Sequence, residues 1–331
     1  MDASRLVFTS VESTIAAKEY IDWRRENEGG GMPLYIKSLD FNGRDGFLPV
    51  LPGELISVLG RPGNGKTGLM FRWARMRAKD LQKQAALGNK TADNSVVLYV
   101  TMEQTVEELR LFHVAAEDRL SVTRMASGQM QEEDWQKTHD SLNRLSPVPL
   151  WFIGKSRKRR RDKIELNEQN IRAALESVER WQDDNLTMQI DSIYIDYLQR
   201  FRSTGTDLVA FYGNITNTIK EWAGDFSTRA ILGVQAKREV DQRQEPIPLM
   251  DDGQWTSTIE QFSDGVLSVM RPAHYRKVGE DFMGISVARE DMLVSVLKRK
   301  LGPDNFSKWV KFEPEYNKLD EAELKNVTFE D

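Results

Sequence analysis

The sequence predicts an α/β fold in which a mainly parallel sheet is flanked by helices, and three observations support this class. Short apolar runs rich in β-forming residues alternate with longer helical stretches from Glu54 onward. A chain of 331 residues that is 40% hydrophobic is long enough to bury one large core. A glycine-rich loop separates the first apolar run from a helix-prone stretch. Strands that alternate with helices in this way form a parallel sheet covered on both faces.

Residues 1–30 predict a short arm that precedes the core. Apolar side chains recur at helical spacing between residues 10 and 26, and the run Gly29-Gly30-Gly31 then ends the pattern. We expect a linker helix followed by a flexible joint. This helix either folds back on its own core or docks on a neighbouring subunit, and the sequence leaves both arrangements open.

Seven apolar runs are the candidate strands of the core. They are Leu55–Leu59, Val96–Thr101, Leu150–Ile153, Ser192–Asp196, Ala230–Gln235, Gly265–Met270 and Met292–Leu297. Two long insertions interrupt the alternation. Residues 80–94 are polar and are expected to form a surface excursion, whereas residues 154–168 contain a dense block of basic side chains. We therefore expect one α/β core with insertions.

The loop after the first candidate strand matches G-x-x-x-x-G-K-T, the pattern of a phosphate-binding loop. In such a loop the glycines let successive backbone N–H groups surround a polyphosphate, Lys66 reaches the β- and γ-phosphates, and the Thr67 hydroxyl holds Mg²⁺. The pattern alone also occurs as a simple glycine-rich turn, but a strand before it and a helix after it favour the nucleotide site. We therefore predict ATP and Mg²⁺ as cofactors, with the nucleotide bound by Gly60, Arg61, Pro62, Gly63, Asn64, Gly65, Lys66 and Thr67.

An acid follows each of two other candidate strands. Asp196 ends the apolar run Ser192–Asp196, and Glu103 comes shortly after Thr101. At the carboxyl ends of neighbouring strands, Asp196 would share Mg²⁺ with Thr67, and Glu103 would polarise the attacking water. Taken singly, each acid is also explained as an ordinary helix cap or first-turn carboxylate. Together with the phosphate loop, the two acids predict a nucleoside triphosphatase.

Two further polar groups stand at strand ends. Gln235 ends the run Ala230–Gln235, where an amide either senses the γ-phosphate or is an ordinary surface side chain. Lys298, Arg299 and Lys300 follow the run Met292–Leu297. These cations either stabilise developing phosphoryl charge in an adjacent subunit or form a basic hairpin exposed to solvent.

Composition limits the partners that the chain is expected to have. A net charge of −5 and a pI near 5.5 argue against a polycation that coats nucleic acid, so any such contact must come from local patches. One patch is the basic run that contains Arg157, Lys158, Arg159 and Arg160, which is either a solvated loop or a contact for a phosphate backbone. The chain has no cysteine, and no apolar run approaches the ~20 residues that cross a bilayer. We expect a soluble cytoplasmic protein.

Several strings between residues 31 and 312 form a family pattern. The most specific are Ile195-Asp196-Tyr197-Leu198-Gln199 and Ile259-Glu260-Gln261. The others are Gly31-Met32-Pro33, Leu39-Asp40, Pro52-Gly53-Glu54-Leu55-Ile56, Arg61-Pro62, Gly65-Lys66-Thr67, Met102-Glu103, Ser127-Gly128-Gln129, Asp134-Trp135, Gln242-Arg243 and Gly302-Pro303. On these strings the chain resembles the C-terminal RecA-like motor domain of DnaB-type replicative helicases. We expect this domain to span residues 31–315 and an acidic tail to occupy residues 316–331.

The resemblance implies a ring-shaped hexamer that holds ATP between subunits and translocates on single-stranded DNA, with a loader or another protein as a further partner. It also implies roles for single residues. Glu103 would be the catalytic carboxylate, Asp196 the Walker B acid and Gln235 the sensor, and Lys298 and Lys300 would act on the nucleotide of the next subunit. The expected nucleic-acid contacts are Arg243, Gln254 and Trp255.

The chain departs from the family pattern at three places. Lys300 replaces the trans-acting arginine unless Arg299 takes over by a register shift, and lysine lacks the bidentate fork of a guanidinium. Phe112 falls where the family usually has an arginine near the nucleotide. Gln254-Trp255 replaces an Arg-Glu pair that grips DNA, and Trp255 either stacks on a base or packs on the next subunit. Two other functions therefore stay open, namely an ATP-dependent assembly or recruitment module that does not unwind DNA and a recombinase-like filament former.

Overall fold

The structure of the chain is a computed structural model. It describes residues 9–26, 31–158, 165–183, 186–203, 205–254 and 259–321. Three of the predicted nucleic-acid contacts, Arg159, Arg160 and Trp255, lie outside the described residues.

Nine α-helices occur in the described part of the chain. They are α1 (Ser10–Glu26), α2 (Lys66–Ala86), α3 (Lys90–Asp93), α4 (Val106–Asp118), α5 (Val122–Ser127), α6 (Glu132–Leu145), α7 (Glu168–Glu179), α8 (Leu208–Asp225) and α9 (Ile259–Phe262). Local sequence explains several of their starts. Helix α4, for example, begins at a capping box in which the Thr105 side chain accepts from the Glu108 N–H and the Glu108 carboxylate accepts from the Thr105 N–H.

The strands of the described residues include all seven that the sequence predicts. They are β1 (Leu55–Gly60), β2 (Ser95–Thr101), β3 (Leu150–Ile153), β4 (Gln182–Asp183), β5 (Leu186–Thr187), β6 (Gln189–Asp196), β7 (Arg229–Gln235), β8 (Gly265–Met270), β9 (Asp281–Phe282), β10 (Ile285–Ser286), β11 (Asp291–Arg299), β12 (Phe306–Glu313) and β13 (Lys318–Glu321).

The main sheet has the strand order β13-β12-β11-β8-β1-β7-β6-β2-β3. The strands from β8 to β3 in this order are parallel, and β11, β12 and β13 add to them in antiparallel fashion. The mainly parallel sheet predicted from the sequence is confirmed. Because β1 lies in the middle, the loop that follows it has neighbouring strand ends on both sides.

Both faces of the sheet are buried, and β1 shows how. Ile56 and Val58 point to one side, where they join the cluster under α2, whereas Leu55 and Leu59 point to the other side, which α8 covers. Each fully buried side chain of this size contributes about 1.5–3 kcal/mol relative to an exposed one. The two packed faces therefore hold the strand ends in fixed relative positions.

Helix α1 forms where the sequence predicts it, and its apolar residues Val11, Ile15 and Ile21 are exposed. Val11 is 68% exposed and Ile21 is 63% exposed, so these side chains do not pack on the core of their own chain. Among the described residues no helix combines the length and the apolar character needed to cross a membrane.

Two parts of the core differ from the sequence prediction. The excursion expected at residues 80–94 is largely helical, because α2 continues to Ala86, with Leu81 buried, and α3 follows directly. Strands β12 and β13 were not predicted. The sheet consequently continues to Glu321, beyond residue 315, where the sequence placed the start of the tail.

Candidate nucleotide and DNA site

The phosphate-loop pattern lies between β1 and α2, as the sequence predicts. Gly63 and Gly65 have φ angles of 79° and 92°, a region that favours glycine. The first N–H groups of α2 have no intrahelical partner, so they point out of the helix toward the loop. A Cβ atom on Gly60 would lie 2.7 Å from a methyl carbon of Val269, so this position also requires glycine. The backbone thus forms an anion cradle at the start of α2.

Lys66 is buried at the base of this cradle. Its ammonium nitrogen Nζ donates to the Gly60 carbonyl oxygen at 2.8 Å and lies 5.6 Å from the centre of the Tyr197 ring. Burial lowers the pKa of Lys66 to about 8, although the negative charges of Asp196 and Glu103 act in the opposite direction. A buried cation held mainly by one carbonyl is well prepared to bind an anionic phosphate.

Asp196 and Thr67 meet beside Lys66. The Thr67 hydroxyl donates to Asp196 Oδ2 at 2.7 Å, and the Tyr99 hydroxyl donates to the same oxygen at 3.0 Å. Burial raises the pKa of Asp196, whereas the two hydroxyls and the charge of Lys66 act to lower it. The other carboxylate oxygen, Oδ1, is buried and has no hydrogen-bond partner among the described residues. An orphaned carboxylate oxygen next to a hydroxyl suits a hard cation with oxygen ligands, so these residues fit the Mg²⁺ of a bound nucleotide.

Glu103 lies at the neighbouring strand end. Strands β2 and β6 pair so that Thr101 is opposite Asp196, which places Glu103 just beyond this pair. Its carboxylate accepts from the Arg200 guanidinium at 3.0 Å, and both side chains are about half exposed. Glu103 is therefore at the open side of the cradle, where water has access. Arg200 was not identified from the sequence, because it follows a turn and belongs to no recognisable motif.

A second group of side chains, of which the sequence analysis named only Asn64, closes the other side of the loop. Asn64 Oδ1 accepts from the Arg271 N–H at 2.7 Å, and Asn64 Nδ2 donates to the Tyr275 hydroxyl at 2.9 Å. The Arg271 guanidinium also lies 3.2 Å from a ring nitrogen of His274. A detectable signal existed, because Arg271 directly follows an apolar strand at the same edge of the sheet as Asp196.

Arg61 does not face the cradle with its side chain. Its Nη1 donates to the Ala236 carbonyl at 2.9 Å, and its Nε donates to Asp241 Oδ2 at the same distance. The guanidinium is thus occupied by the segment after β7, and only the backbone of Arg61 belongs to the cradle. Its assignment to the phosphate loop holds for the backbone and is corrected for the side chain.

The basic triplet after the seventh predicted strand lies at the opposite end of the sheet. Strand β11 runs antiparallel to β8 and pairs Arg299 with Gly265, the first residue of β8. The phosphate loop follows the other end of the neighbouring β1. A strand of this length spans about 20 Å, so Lys298 and Lys300 are remote from the nucleotide loop of their own chain. Lys300 is exposed to a neighbouring molecule, whereas Lys298 is half-buried and its ammonium donates to the Glu260 carbonyl oxygen.

Arg299 is buried and held within its own chain. Its guanidinium donates to the carbonyl oxygens of Leu48 and Pro49 at 3.0 and 2.9 Å and to the Glu54 carboxylate at 2.8 Å. Only 4% of Arg299 is exposed. The alternative in which Arg299 replaces the trans-acting arginine is therefore wrong, because this guanidinium cannot reach another subunit without breaking these bonds.

The predicted DNA-contact residues are partly engaged in internal bonds. Arg243 forms a two-pronged ion pair with Asp252, with N–O distances of 2.5 and 2.7 Å. Arg157 is paired with Glu108 at 2.5 Å, and Lys158 is exposed. The Gln254 N–H donates to the carbonyl oxygen of Gln235 at 2.8 Å, so the predicted sensor strand and the predicted DNA loop are in direct contact.

A central parallel strand, a glycine-rich loop, a buried lysine and a Thr–Asp pair at the adjoining strand end define a phosphate-loop nucleoside triphosphatase fold and site. The chain belongs to the family of DnaB-like helicase C terminal domains, whose model matches residues 31–321. The resemblance inferred from the motifs is thereby confirmed. The replicative DNA helicase DnaB of Geobacillus stearothermophilus is 26% identical over 298 residues, which are 89% of this chain and 57% of the relative. The chain spans about half the length of the curated relatives it matches.

Solved structures show the same fold. One structure, of an isolated ATPase domain, superposes with a TM-score of 0.75 at 18% sequence identity and covers 96% of this chain and all of that one. A second structure, of a DnaB-like replicative helicase and its interactions with primase, superposes with a TM-score of 0.72 at 18% identity and covers 96% of this chain and 68% of that one. At this identity the likeness establishes the fold.

Proposed function

We propose that this protein is an ATP-hydrolysing ring motor of the DnaB type that binds and translocates on single-stranded DNA in the cytoplasm. The observation that carries the proposal is the arrangement of Lys66, Thr67 and Asp196 around one cradle. A lysine, a hydroxyl and an orphaned carboxylate oxygen at the start of a helix are the groups that a magnesium-bound triphosphate requires. The family membership of the chain supports the same activity.

In this proposal each residue of the site has a separate task. The backbone of the loop and Lys66 bind the phosphates, and Thr67 and Asp196 would hold Mg²⁺, which would supply positive charge to the phosphates. Glu103, at the open side of the cradle, positions and polarises the attacking water. The Glu103–Arg200 ion pair orients this carboxylate before the nucleotide binds.

The position of Lys298 and Lys300 favours a site that is shared between subunits. Both lysines lie at the sheet end opposite to the phosphate loop, so they serve a nucleotide only if a neighbouring copy presents its loop to them. Copies that repeat this head-to-tail contact form a ring when the rotation closes, and we propose a hexamer. Lysine supplies a point charge to the phosphoryl group instead of a bidentate fork.

Two measurements test the motor. Strand displacement on a forked duplex, with Lys66→Ala as the inactive control, is expected to require ATP and Mg²⁺. Glu103→Gln is expected to bind ATP normally and to hydrolyse it about 10²–10⁴-fold more slowly, because it lacks the basic carboxylate. Intact ATP hydrolysis without any unwinding or movement on DNA would refute the motor.

A mixing experiment tests the shared site. Neither Lys66→Ala nor the double variant Lys298→Ala/Lys300→Ala is expected to hydrolyse ATP alone. In mixed oligomers, some interfaces join an intact phosphate loop to intact lysines, so activity is expected to return in part. Complete inactivity at every mixing ratio would contradict the proposed sharing, provided that gel filtration shows mixed oligomers.

A second candidate function is an ATP-dependent assembly module that recruits a partner without moving on DNA. It is favoured by one observation, namely that the Arg243 guanidinium is taken up by Asp252 and is not free for a DNA phosphate. The two functions differ in one measurement. Oligomer formation that depends on ATP, together with a turnover that single-stranded DNA does not raise, would favour the assembly module.

A further inference from the structure

The end of β7 is in contact with two functional loops at once. On one side, the backbone of residues Asp252–Gln254 pairs with it, through a bridge between Ala236 and Gly253 and a bond from the Lys237 N–H to the Asp252 carbonyl at 2.8 Å. These residues lead into the loop predicted to contact DNA. The segment from Gln235 to Lys237 therefore carries the first part of that loop on its backbone.

On the other side, the same segment is bonded to the phosphate loop. The Gly60 carbonyl oxygen accepts from the Ala236 N–H at 3.2 Å and from Lys66 Nζ at 2.8 Å. Arg61 donates to the Ala236 carbonyl at 2.9 Å. A rotation of Lys66 toward a phosphate would take one of these two donors from the Gly60 carbonyl oxygen, so the bond to Ala236 is placed where it can respond to a bound nucleotide.

Gln199 joins the end of β7 to residue Gln254 of the DNA-side arm through its side chain. Its carboxamide oxygen accepts from the Gln235 N–H at 2.9 Å, and its carboxamide nitrogen donates to the Gln254 carbonyl at 3.1 Å. Gln199 is half-buried and stands three positions after Asp196, in the short 3-10 turn Leu198–Arg200. Accepting and donating at once requires an amide at this length, because a carboxylate only accepts and a lysine only donates.

We propose that Gln199 is a positioning residue that couples the nucleotide state at Lys66 to the grip on single-stranded DNA, by fastening the Asp252–Gln254 arm to the end of β7. This inference rests on the proposed motor function. Both side-chain bonds of Gln199 go to backbone groups, those of Gln235 and Gln254, so it acts through the backbone that it holds. A change of the nucleotide moves the end of β7, and the amide forces the DNA loop to follow.

The test compares Gln199→Glu and Gln199→Leu with the unmodified protein. Glutamate keeps the bond from the Gln235 N–H but places a carboxylate against the Gln254 carbonyl, and leucine removes both bonds. Gln129→Glu, an exposed position on another loop, is the matched control for the charge change. The measurements are ATP turnover with and without oligo(dT), and the affinity for fluorescent oligo(dT) in ADP and in a non-hydrolysable ATP analogue.

We expect both Gln199 variants to keep the KM for ATP and to lose stimulation by oligo(dT). Loss of one hydrogen bond, at about 1 kcal/mol net, corresponds to a factor of about five in an equilibrium constant. The ratio of the oligo(dT) affinity in the ATP analogue to that in ADP is therefore expected to move toward one by a similar factor, because coupling between two sites is reciprocal. The Gln129→Glu control is expected to leave both quantities unchanged.

The outcomes separate this inference from the function on which it rests. If the unmodified protein shows stimulation by oligo(dT) and Gln199→Glu retains it fully, the inference is overturned and the motor stands. If the unmodified protein itself is neither stimulated by oligo(dT) nor sensitive to the nucleotide when it binds oligo(dT), the motor function fails. A KM for ATP that rises as much as stimulation falls would show a general disturbance of the cradle, and this would also overturn the inference. Glutamate is close to glutamine in size, so this variant remains informative if leucine prevents folding.

Discussion

Replacement of the buried Arg299 by methionine tests whether this guanidinium stabilises its own chain. Arg299 lies beside Phe47, with 5.2 Å between the guanidinium carbon and the centre of the Phe47 ring. Methionine keeps much of the apolar stem of the arginine side chain. It removes the charge and every donor. The carbonyl oxygens of Leu48 and Pro49 and the Glu54 carboxylate then lose a partner in a buried place.

The magnitude follows from these partners. Breaking a buried ion pair by removal of one member costs about 3–5 kcal/mol, because the remaining charge has no compensation. Glu54 keeps one bond, from the Leu51 N–H at 2.8 Å, and its side chain is 16% exposed, so water relieves part of the loss. We therefore expect Arg299→Met to lower the free energy of unfolding by about 3 kcal/mol, near the lower end of that range.

Urea unfolding followed by circular dichroism measures this loss, and Lys300→Met is the matched control from the adjacent residue. Lys300 is exposed, and its closest acid is the Asp264 carboxylate at 3.6 Å, so the expected change stays within about 0.5 kcal/mol. Lys300→Met is nevertheless expected to reduce ATP hydrolysis. The reasoning would be refuted if Arg299→Met were as stable as the unmodified protein and inactive only in the oligomer, since that is the behaviour of a trans-acting residue.

Three further predictions concern pH and salt. Burial lowers the pKa of Lys66 to about 8, and a bound phosphate favours the charged form of this lysine. We therefore expect the nucleotide affinity, measured by calorimetry, to be constant below pH 8 and to fall about tenfold per pH unit above it. An affinity that stays constant up to pH 9.5 would contradict the buried position of Lys66. Because Arg243 pairs with Asp252, Arg243→Ala is expected to leave the salt dependence of DNA binding unchanged, whereas loss of a direct phosphate contact would reduce the slope of log K against log salt by about 0.7. Burial, together with the charges of Arg75, Arg110 and Lys79, lowers the pKa of His113 to about 2. The unfolded chain takes up a proton on this histidine below its ordinary pKa of 6.5 and the folded chain does not, so stability is lost as pH falls through that value. We therefore expect His113→Leu to lose about 2 kcal/mol less stability than the unmodified protein between pH 7.5 and pH 5. If urea titrations show that both proteins lose the same stability over this range, His113 is protonated in the folded protein.

The nucleotide cradle was predictable because most of its residues lie in one short stretch of the sequence. Lys66 and Thr67 follow a glycine pattern between an apolar run and a helix, and Asp196 ends another apolar run, so each stands where a parallel sheet places functional groups. Family strings then indicated which strand ends belong together. The structure places Thr67 and Asp196 in direct contact, which no spacing along the chain could measure.

Pairings between distant residues were not predictable. Whether Arg61 faces a phosphate or Ala236, and whether Arg243 is free or held by Asp252, depends on backbone directions that the local pattern does not encode. The same is true of Arg299, which the sequence pattern does not distinguish from its neighbours Lys298 and Lys300. Strand alternation buries one of three consecutive cations, and the register of β11 decides which one.

The sequence by itself determined the α/β class, the phosphate loop and the family, because apolar periodicity and glycine spacing act over short distances along the chain. Only the tertiary structure decided which charged groups are available to a ligand and which are already bonded to groups of the same chain. The physical reason is that a guanidinium or an amide takes the nearest partner in space, and for Arg299 and Gln199 that partner is supplied by backbone far away in sequence.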